Sequence, residues 1–195
     1  MDYRFGALLP EPLKVGLNKL PNGLYLHTQR VCDEAKALAP IFGLEFEPVE
    51  IAAAAHDICR SMNGKDLLLE AQRRRLPIHE VEKQIPILLH GPIAAAIVRD
   101  EFGLVDKDLL EAIHWHSTGT PGMRPLAELI FLADKLDPMK KTRYPFINEV
   151  RECLVKDYEK ASFLFISEEL KRLVDSGQLL HPASVATRNW LLSRN

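Results

Sequence analysis

Apolar residues recur three and four positions apart along most of the chain, and alternating β-branched runs are scarce, so the pattern predicts an all-α fold. From Leu26 to Ala39 the stripe His27, Val31, Ala35, Leu38 follows one helical face, and Pro40 with Gly43 is expected to stop the helix. Pro48 suits the first turn of a helix whose stripe Val49, Ala52, Ala53, His56, Cys59 ends before Asn63-Gly64. Residues 65–84, with Arg73-Arg74-Arg75 and Pro77, read as a short helix plus an exposed connection whose basic run lies in solvent. Pro86 and Pro92 frame Ile87-Leu88-Leu89-His90-Gly91, and Ile93, Ala96 and Ile97 then share a helix that lasts until Gly103. Asp106 is the expected N-cap of a helix carrying Leu109, Ile113 and His116, which closes in the Ser117-Thr118-Gly119 turn. Pro125 opens a helix that stacks Leu126, Ile130 and Asp134 on one face. Beyond the basic linker Lys140-Lys141-Thr142-Arg143, helices are expected over 146–158, over 162–175 and from about 182.

Six side chains on these faces prefer water or a partner: His27, His56, Asp57, His90, His116 and Asp134. A lone histidine on an apolar face is usually a hydrogen-bonded core group. Four of them with two carboxylates favour a metal. Asp134 sits between apolar neighbours with no lysine or arginine on its stripe, and a buried ionised carboxylate of that kind demands a cation. Adjacent side chains on a helix diverge by roughly 100°. The imidazole of His56 can therefore bind one ion, while the two oxygens of Asp57 link that ion to a second. Imidazole with carboxylate and no thiolate suits iron, manganese, cobalt, nickel or zinc and disfavours calcium. His79, His114 and His181 fall off these faces or in polar connections and are read as non-ligands, and Cys59 as an inert buried thiol.

Composition narrows the field. The 195 residues are 47% hydrophobic and 27% charged, which fits one globular domain and excludes a disordered or disulfide-dense chain. A net charge of −2 gives no global pull toward nucleic acid or an anionic membrane. No apolar run approaches the roughly 20 residues of a membrane span, and the start of the chain lacks the pattern of a secretory signal. Cys32, Cys59 and Cys153 form no C-x-x-C pair and suit free thiols in the cytoplasm. Assembly stays open, a homodimer being one arrangement.

The motifs H-T-Q-R-V (His27 to Val31), A-H-D-I-C-R (Ala55 to Arg60), L-L-H-G-P (Leu88 to Pro92), W-H-S-T-G (Trp115 to Gly119) and F-L-A-D-K-L-D-P (Phe131 to Pro138) together resemble the HD-domain metal-dependent phosphohydrolases. The resemblance is closest to the YqeK-like symmetrical bis(5′-nucleosyl)-tetraphosphatases. It spans about residues 20–145, with a weaker echo around Asn189. It implies a single HD-domain helical bundle, with a metal-binding core at about 20–145 and C-terminal helices at about 146–195 packed on it. It implies two metal ions, iron foremost, and symmetrical cleavage of diadenosine tetraphosphate to two ADP. His27, His56, Asp57 and Asp134 would hold one ion, and His90, His116 and the bridging Asp57 the other. Attack by a metal-bridging hydroxide is the expected chemistry, with His56, Asp57 and Arg60 at the reacting centre.

For substrate, Arg60 is a candidate phosphate clasp, with a surface ion pair as its ordinary alternative. Thr118 and Gly119 offer a hydroxyl and a backbone N–H, although a helix-ending turn accounts for them equally. Lys140 and Arg143 are within reach from the basic linker. Trp115 and Phe131 are candidates to stack a base or simply to pack. Members of the resembled family tend to read A-D-Y-I-E-P and then arginine, whereas this chain has Lys135, Leu136 and Asp137, then Met139 and two lysines before Arg143. That departure bears on polyphosphate length and base preference, since lysine lacks arginine's planar grip. The alternatives are a mononucleotide phosphohydrolase, acting as a deoxynucleotide 5′-phosphatase or triphosphatase, and a nucleotide-binding module without turnover.

Overall fold

The computed structural model describes residue 5 and residues 9–194, which contain eleven α-helices and no strand. These are α1 (Glu11–Leu17), α2 (Asn22–Phe42), α3 (Phe46–Ala55), α4 (Gly64–Arg73), α5 (Glu80–Gln84), α6 (His90–Asp100), α7 (Lys107–Trp115), α8 (Pro125–Lys135), α9 (Ile147–Leu154), α10 (Tyr158–Asp175) and α11 (Pro182–Leu192), with 3-10 turns at Pro86–Leu89 and Pro138–Lys140. The all-α expectation is met. No helix among the described residues is long and apolar enough to cross a membrane.

The architecture is organised on α8, where every residue from Leu126 to Lys135 is buried. A helix apolar on all sides must be surrounded. α2 and α7 flank it, α3 packs on both α2 and α7, and α6 packs on the far side of α7. α10 lies against α8 and carries α9 and α11. The alanines Ala52 to Ala55 of α3 are fully buried and let neighbouring helices approach closely.

Several boundaries differ from the pattern-based expectation. α2 begins at Asn22 and runs through Pro40, which sits in its last turn, and Gly43 stops it at φ 65°. The Leu44 N–H donates to Ala39 O at 3.1 Å, so a left-handed glycine closes the helix and proline does not. α3 ends at Ala55, before the expected stripe is complete. His56 to Met62 instead form tight turns, with the Ile58 N–H on Ala55 O at 3.2 Å and the Arg60 N–H on Asp57 O at 2.9 Å. The expected helix over 146–158 breaks after Leu154, and Asp157 caps the next one by accepting the Lys160 N–H at 3.0 Å. The basic run is not all solvated: the Arg74 side chain is 7% exposed and pairs with Glu70, Asp100 and Glu101, tying α4 to the end of α6.

One buried charge lies away from the candidate site. Glu128 on α8 is 2% exposed, its Oε1 has no hydrogen-bond partner, and burial pushes its carboxyl up to about 7. A folded-state value above the ordinary one means the fold prefers the neutral acid, so this stability is complete below about pH 4.5 and is lost as pH rises through 7. The full effect is on the order of 3 kcal/mol. Glu128→Gln should therefore raise the thermal midpoint at pH 8 by several degrees and leave it nearly unchanged at pH 4.5, as read by calorimetry. A variant equally shifted at both values would contradict the assignment.

Candidate metal centre

The six side chains singled out above converge, and they do so mainly at helix ends. His27 comes from the second turn of α2, His56 is the C-cap of α3 with Asp57 next to it, His90 is the first residue of α6, His116 is the C-cap of α7, and Asp134 lies near the end of α8. Gly91 permits the meeting of α6 and α7. A Cβ there would stand 2.6 Å from His114 O and 3.2 Å from the His116 ring, so any larger residue would push His90 away from His116.

Asp57 is the hinge of the geometry. Its Oδ2 lies 3.6 Å from both His27 Nε2 and His56 Nε2, while its Oδ1 lies 2.9 Å from His90 Nε2 and 3.5 Å from His116 Nε2. Asp134 Oδ1 closes the first group, 3.0 Å from His27 Nε2 and 3.8 Å from His56 Nε2. Each carboxylate oxygen of Asp57 thus faces its own pair of imidazoles.

The tautomers follow from the outer partners. His56 Nδ1 donates to Ala53 O at 2.6 Å, His116 Nδ1 donates to Ile113 O at 2.8 Å, and His90 Nδ1 donates to Ile87 O. His27 Nδ1 donates to Asp137 Oδ2 at 2.6 Å. Carbonyl and carboxylate oxygens only accept, so each Nδ1 carries a proton, which leaves each Nε2 as the atom that can offer a lone pair to a cation at the centre. The result is a crowd of acceptors. His90 Nε2 and His116 Nε2 face each other at 2.9 Å, and His56 Nε2 is fully buried without a hydrogen-bond partner. Acceptors packed this closely in a buried place need cations between them. His27, His56 and Asp57 form one group with metal-ligand spacing, and Asp57, His90 and His116 form another. The residues present fit divalent metal ions.

The charge states suit the same role. Burial lowers the affinity of His56 and His116 for protons, to a pKa of about 3 for His116, so both are neutral and ready to ligate. Burial would raise Asp57, but the surrounding imidazoles of His56, His116 and His90 outweigh it and hold the carboxyl well below its usual range. His27 goes the other way: burial opposes its protonation, but Asp134 and Asp137 outweigh that and raise it.

A cavity of about 260 Å³ leads away from this cluster. His90, His116, Asp57 and Asp134 line it together with the apolar Phe165, Ile166, Leu170, Leu173 and Leu179. α10 and the segment before α11 therefore build one wall of the site.

The HD domain family matches residues 24–139, a stretch containing all six of these side chains. The chain belongs to the HD domain family. It is 32% identical over 183 residues to a symmetrical bis(5′-nucleosyl)-tetraphosphatase of Bacillus subtilis (strain 168), covering 94% of this chain and 97% of that relative. A protein of the same description from Halalkalibacterium halodurans is 33% identical, covering 86% of this chain and 88% of the relative. Among solved structures, a Clostridium acetobutylicum protein described as a predicted HD superfamily hydrolase involved in NAD metabolism is similar with a TM-score of 0.88 and 28% identity. That likeness covers 95% of this chain and 97% of the other.

Around the HD centre, some sequence expectations need correction. Asp134 is not short of cations: Lys135 Nζ stands 2.6 Å from its Oδ2 and Lys140 Nζ 2.5 Å from its Oδ1. The helical stripe missed both, because Lys135 is its immediate neighbour and Lys140 returns through the 3-10 turn. Burial would raise Asp134, and these two lysines outweigh it and hold the carboxyl low. The need for a metal therefore rests on the four Nε2 atoms and Asp57, and Asp134 alone does not establish it. Gly119 is a structural residue: it is absent from the cavity lining, and its N–H donates to Trp115 O at 2.8 Å. Its φ of 70° and a Cβ position 2.8 Å from Thr187 explain the glycine.

Thr118, Arg60, Lys140 and Arg143 all line the cavity, and Arg60 is exposed with no ion pair among the described residues. Arg143 meets Glu169 at 3.4 Å. Phe131 is fully buried, packed edge-on against Phe165, and Trp115 packs at a tilt against His114 outside the cavity. His79 and His181 pair with each other near Glu82, and with His114 they stay outside both ligand groups.

Sequence reasoning missed three supporting residues. Asp137 receives His27 Nδ1 and is gripped by Arg30, with Nε to Oδ1 at 2.8 Å and Nη2 to Oδ2 at 2.9 Å. Ser117 Oγ lies 3.1 Å from His116 Nε2 and 3.3 Å from His90 Nε2. The signals were small: an aspartate three residues after Asp134, an arginine three after His27, and a hydroxyl beside His116.

Proposed function

We propose that this chain hydrolyses dinucleoside polyphosphates, cutting diadenosine tetraphosphate symmetrically to two ADP at a two-metal centre. His27, His56, Asp57 and Asp134 hold one ion, His90, His116 and the shared Asp57 hold the other, and iron is the native metal. The observation that carries the reading is the division of Asp57, one oxygen facing His27 and His56 and the other facing His90 and His116. The relatives described as symmetrical bis(5′-nucleosyl)-tetraphosphatases support the substrate. Free Cys32, Cys59 and Cys153 support a reducing, cytoplasmic setting.

When bound, the ions supply Lewis-acid stabilisation of phosphoryl charge and acidify water near neutral pH. The chain's own residues do the rest. Backbone carbonyls and Asp137 fix the imidazole planes, so the ligating atoms are arranged before substrate arrives. Arg60 and Lys140, at the mouth of the cavity beside Asp57, bind and orient the polyphosphate. Thr118 offers a hydroxyl from the cavity wall and Arg143 a third cation. The apolar lining at Phe165, Ile166 and Leu170 excludes water and receives a nucleoside.

The test is product analysis with the metal-replete protein. Diadenosine tetraphosphate should give ADP as sole product, and 18O-labelled water should place a single label in one of the two ADP molecules. Formation of AMP and ATP, or release of nucleoside and phosphate from monophosphates with the dinucleotide untouched, would overturn the reading.

A further inference from the structure

The ligand cluster opens to solvent on two sides. Besides the deep cavity, a shallow groove reaches His27 and Asp57 from the start of α2, and Pro21, Gly23, Leu24, Arg60, Ser61 and Lys140 form its walls. Asp57, Arg60 and Lys140 line both openings, so the cluster stands where the two meet. Arg60 and Lys140 are therefore within reach from either side; Phe165, Ile166 and Leu170 line only the deep cavity, and Ser61, exposed like Arg60, lines only the groove.

Cutting a tetraphosphate in its middle makes a demand that cutting a terminal phosphate does not. The attacked phosphorus carries one nucleoside diphosphate, and the leaving oxygen carries another of equal size, in line with and opposite to the attacking water. A pocket with one closed arm accommodates the end of such a molecule and not its centre. Two arms meeting at the reacting point accommodate both halves.

We propose that the groove is a second nucleotide subsite, which receives the leaving nucleoside diphosphate and holds it through its phosphates by Arg60, Lys140 and Ser61. This inference rests on the hydrolase reading above. The two halves of a symmetrical substrate are then treated unequally: the deep arm encloses one nucleoside, and the groove grips phosphate and leaves its nucleoside near solvent.

Gly23 and Ser61 allow a test that spares the fold and the ligands. A Cβ on Gly23 meets nothing within 4 Å, and an acidic residue in the first turn of a helix is favourable to it. Gly23→Glu and Ser61→Glu each place a carboxylate in the groove against the incoming phosphates. Titration calorimetry of the metal-loaded wild type with ADP should give two molecules per chain. Each variant should bind one, with metal content and thermal midpoint retained and KM for diadenosine tetraphosphate raised about tenfold or more. A wild type that binds one ADP, or variants that keep two with unchanged KM, would overturn the groove assignment even if hydrolysis is confirmed. Two bound ADP lost to one in the variants, with no hydrolysis of the dinucleotide by wild type, would uphold the groove and defeat the hydrolase reading.

Discussion

Asp57→Ala should remove hydrolysis of diadenosine tetraphosphate by at least about a thousandfold and reduce the metal content of the purified protein from two ions to at most one, measured by elemental analysis. Among the described residues, Asp57 is the side chain common to both groups with metal-ligand spacing. Its Oδ2 serves His27 and His56 and its Oδ1 serves His90 and His116, so truncation unlinks the two halves at once. It also leaves four inward-facing Nε2 lone pairs in a buried space without the anion that draws cations there. Asp57→Asn separates charge from shape: it keeps the side chain's size, loses the negative charge, and should fail almost as completely. Retained turnover with two ions in either variant would remove Asp57 from its bridging role.

Asp137→Asn should weaken one ion and spare the other. Asp137 touches no proposed ligating atom; it holds His27 through Nδ1 and is itself clamped by Arg30. Outer partners of this kind typically contribute 10–100-fold in metal affinity. Competition with a chelator should therefore show biphasic release, with the ion at His27, His56 and Asp134 leaving about 10–100-fold more readily and the ion at His90 and His116 unchanged. Circular dichroism should report an intact fold. A uniform loss of both ions would mean that Asp137 supports the fold in general, and unchanged release would mean that His27 is oriented by something else.

Periodicity reads what repeats along one helix, and candidate ligands were legible because they continue or end an apolar face: His27 with Val31 and Ala35, His116 with Leu109 and Ile113, Asp134 with Leu126 and Ile130. The same method could not see that α3 stops at Ala55 and that the His56-Asp57 pair sits in the tight turn beyond it, since a 3-10-like turn keeps nearly the same residues buried. Capping chemistry was visible at Asp106, whose Oδ1 accepts the Leu109 N–H at 2.9 Å, and was overlooked at Asp157. Pairings across more than a hundred residues, such as Arg30 with Asp137, leave no local mark, and neither does the return of Lys140 to Asp134 around a turn. Gly119 shows the converse error: a residue that looked like a phosphate donor is a glycine because its backbone is left-handed and Thr187 packs over it.

The central claim is that Asp57 divides two metal ions between two pairs of histidines, and anomalous X-ray scattering from crystals of the metal-loaded protein tests it most directly. The account predicts two peaks, one on the His27, His56 and Asp134 side of Asp57 and one on the His90 and His116 side. A single peak, or metal bound elsewhere with these four imidazoles uncoordinated, would contradict it.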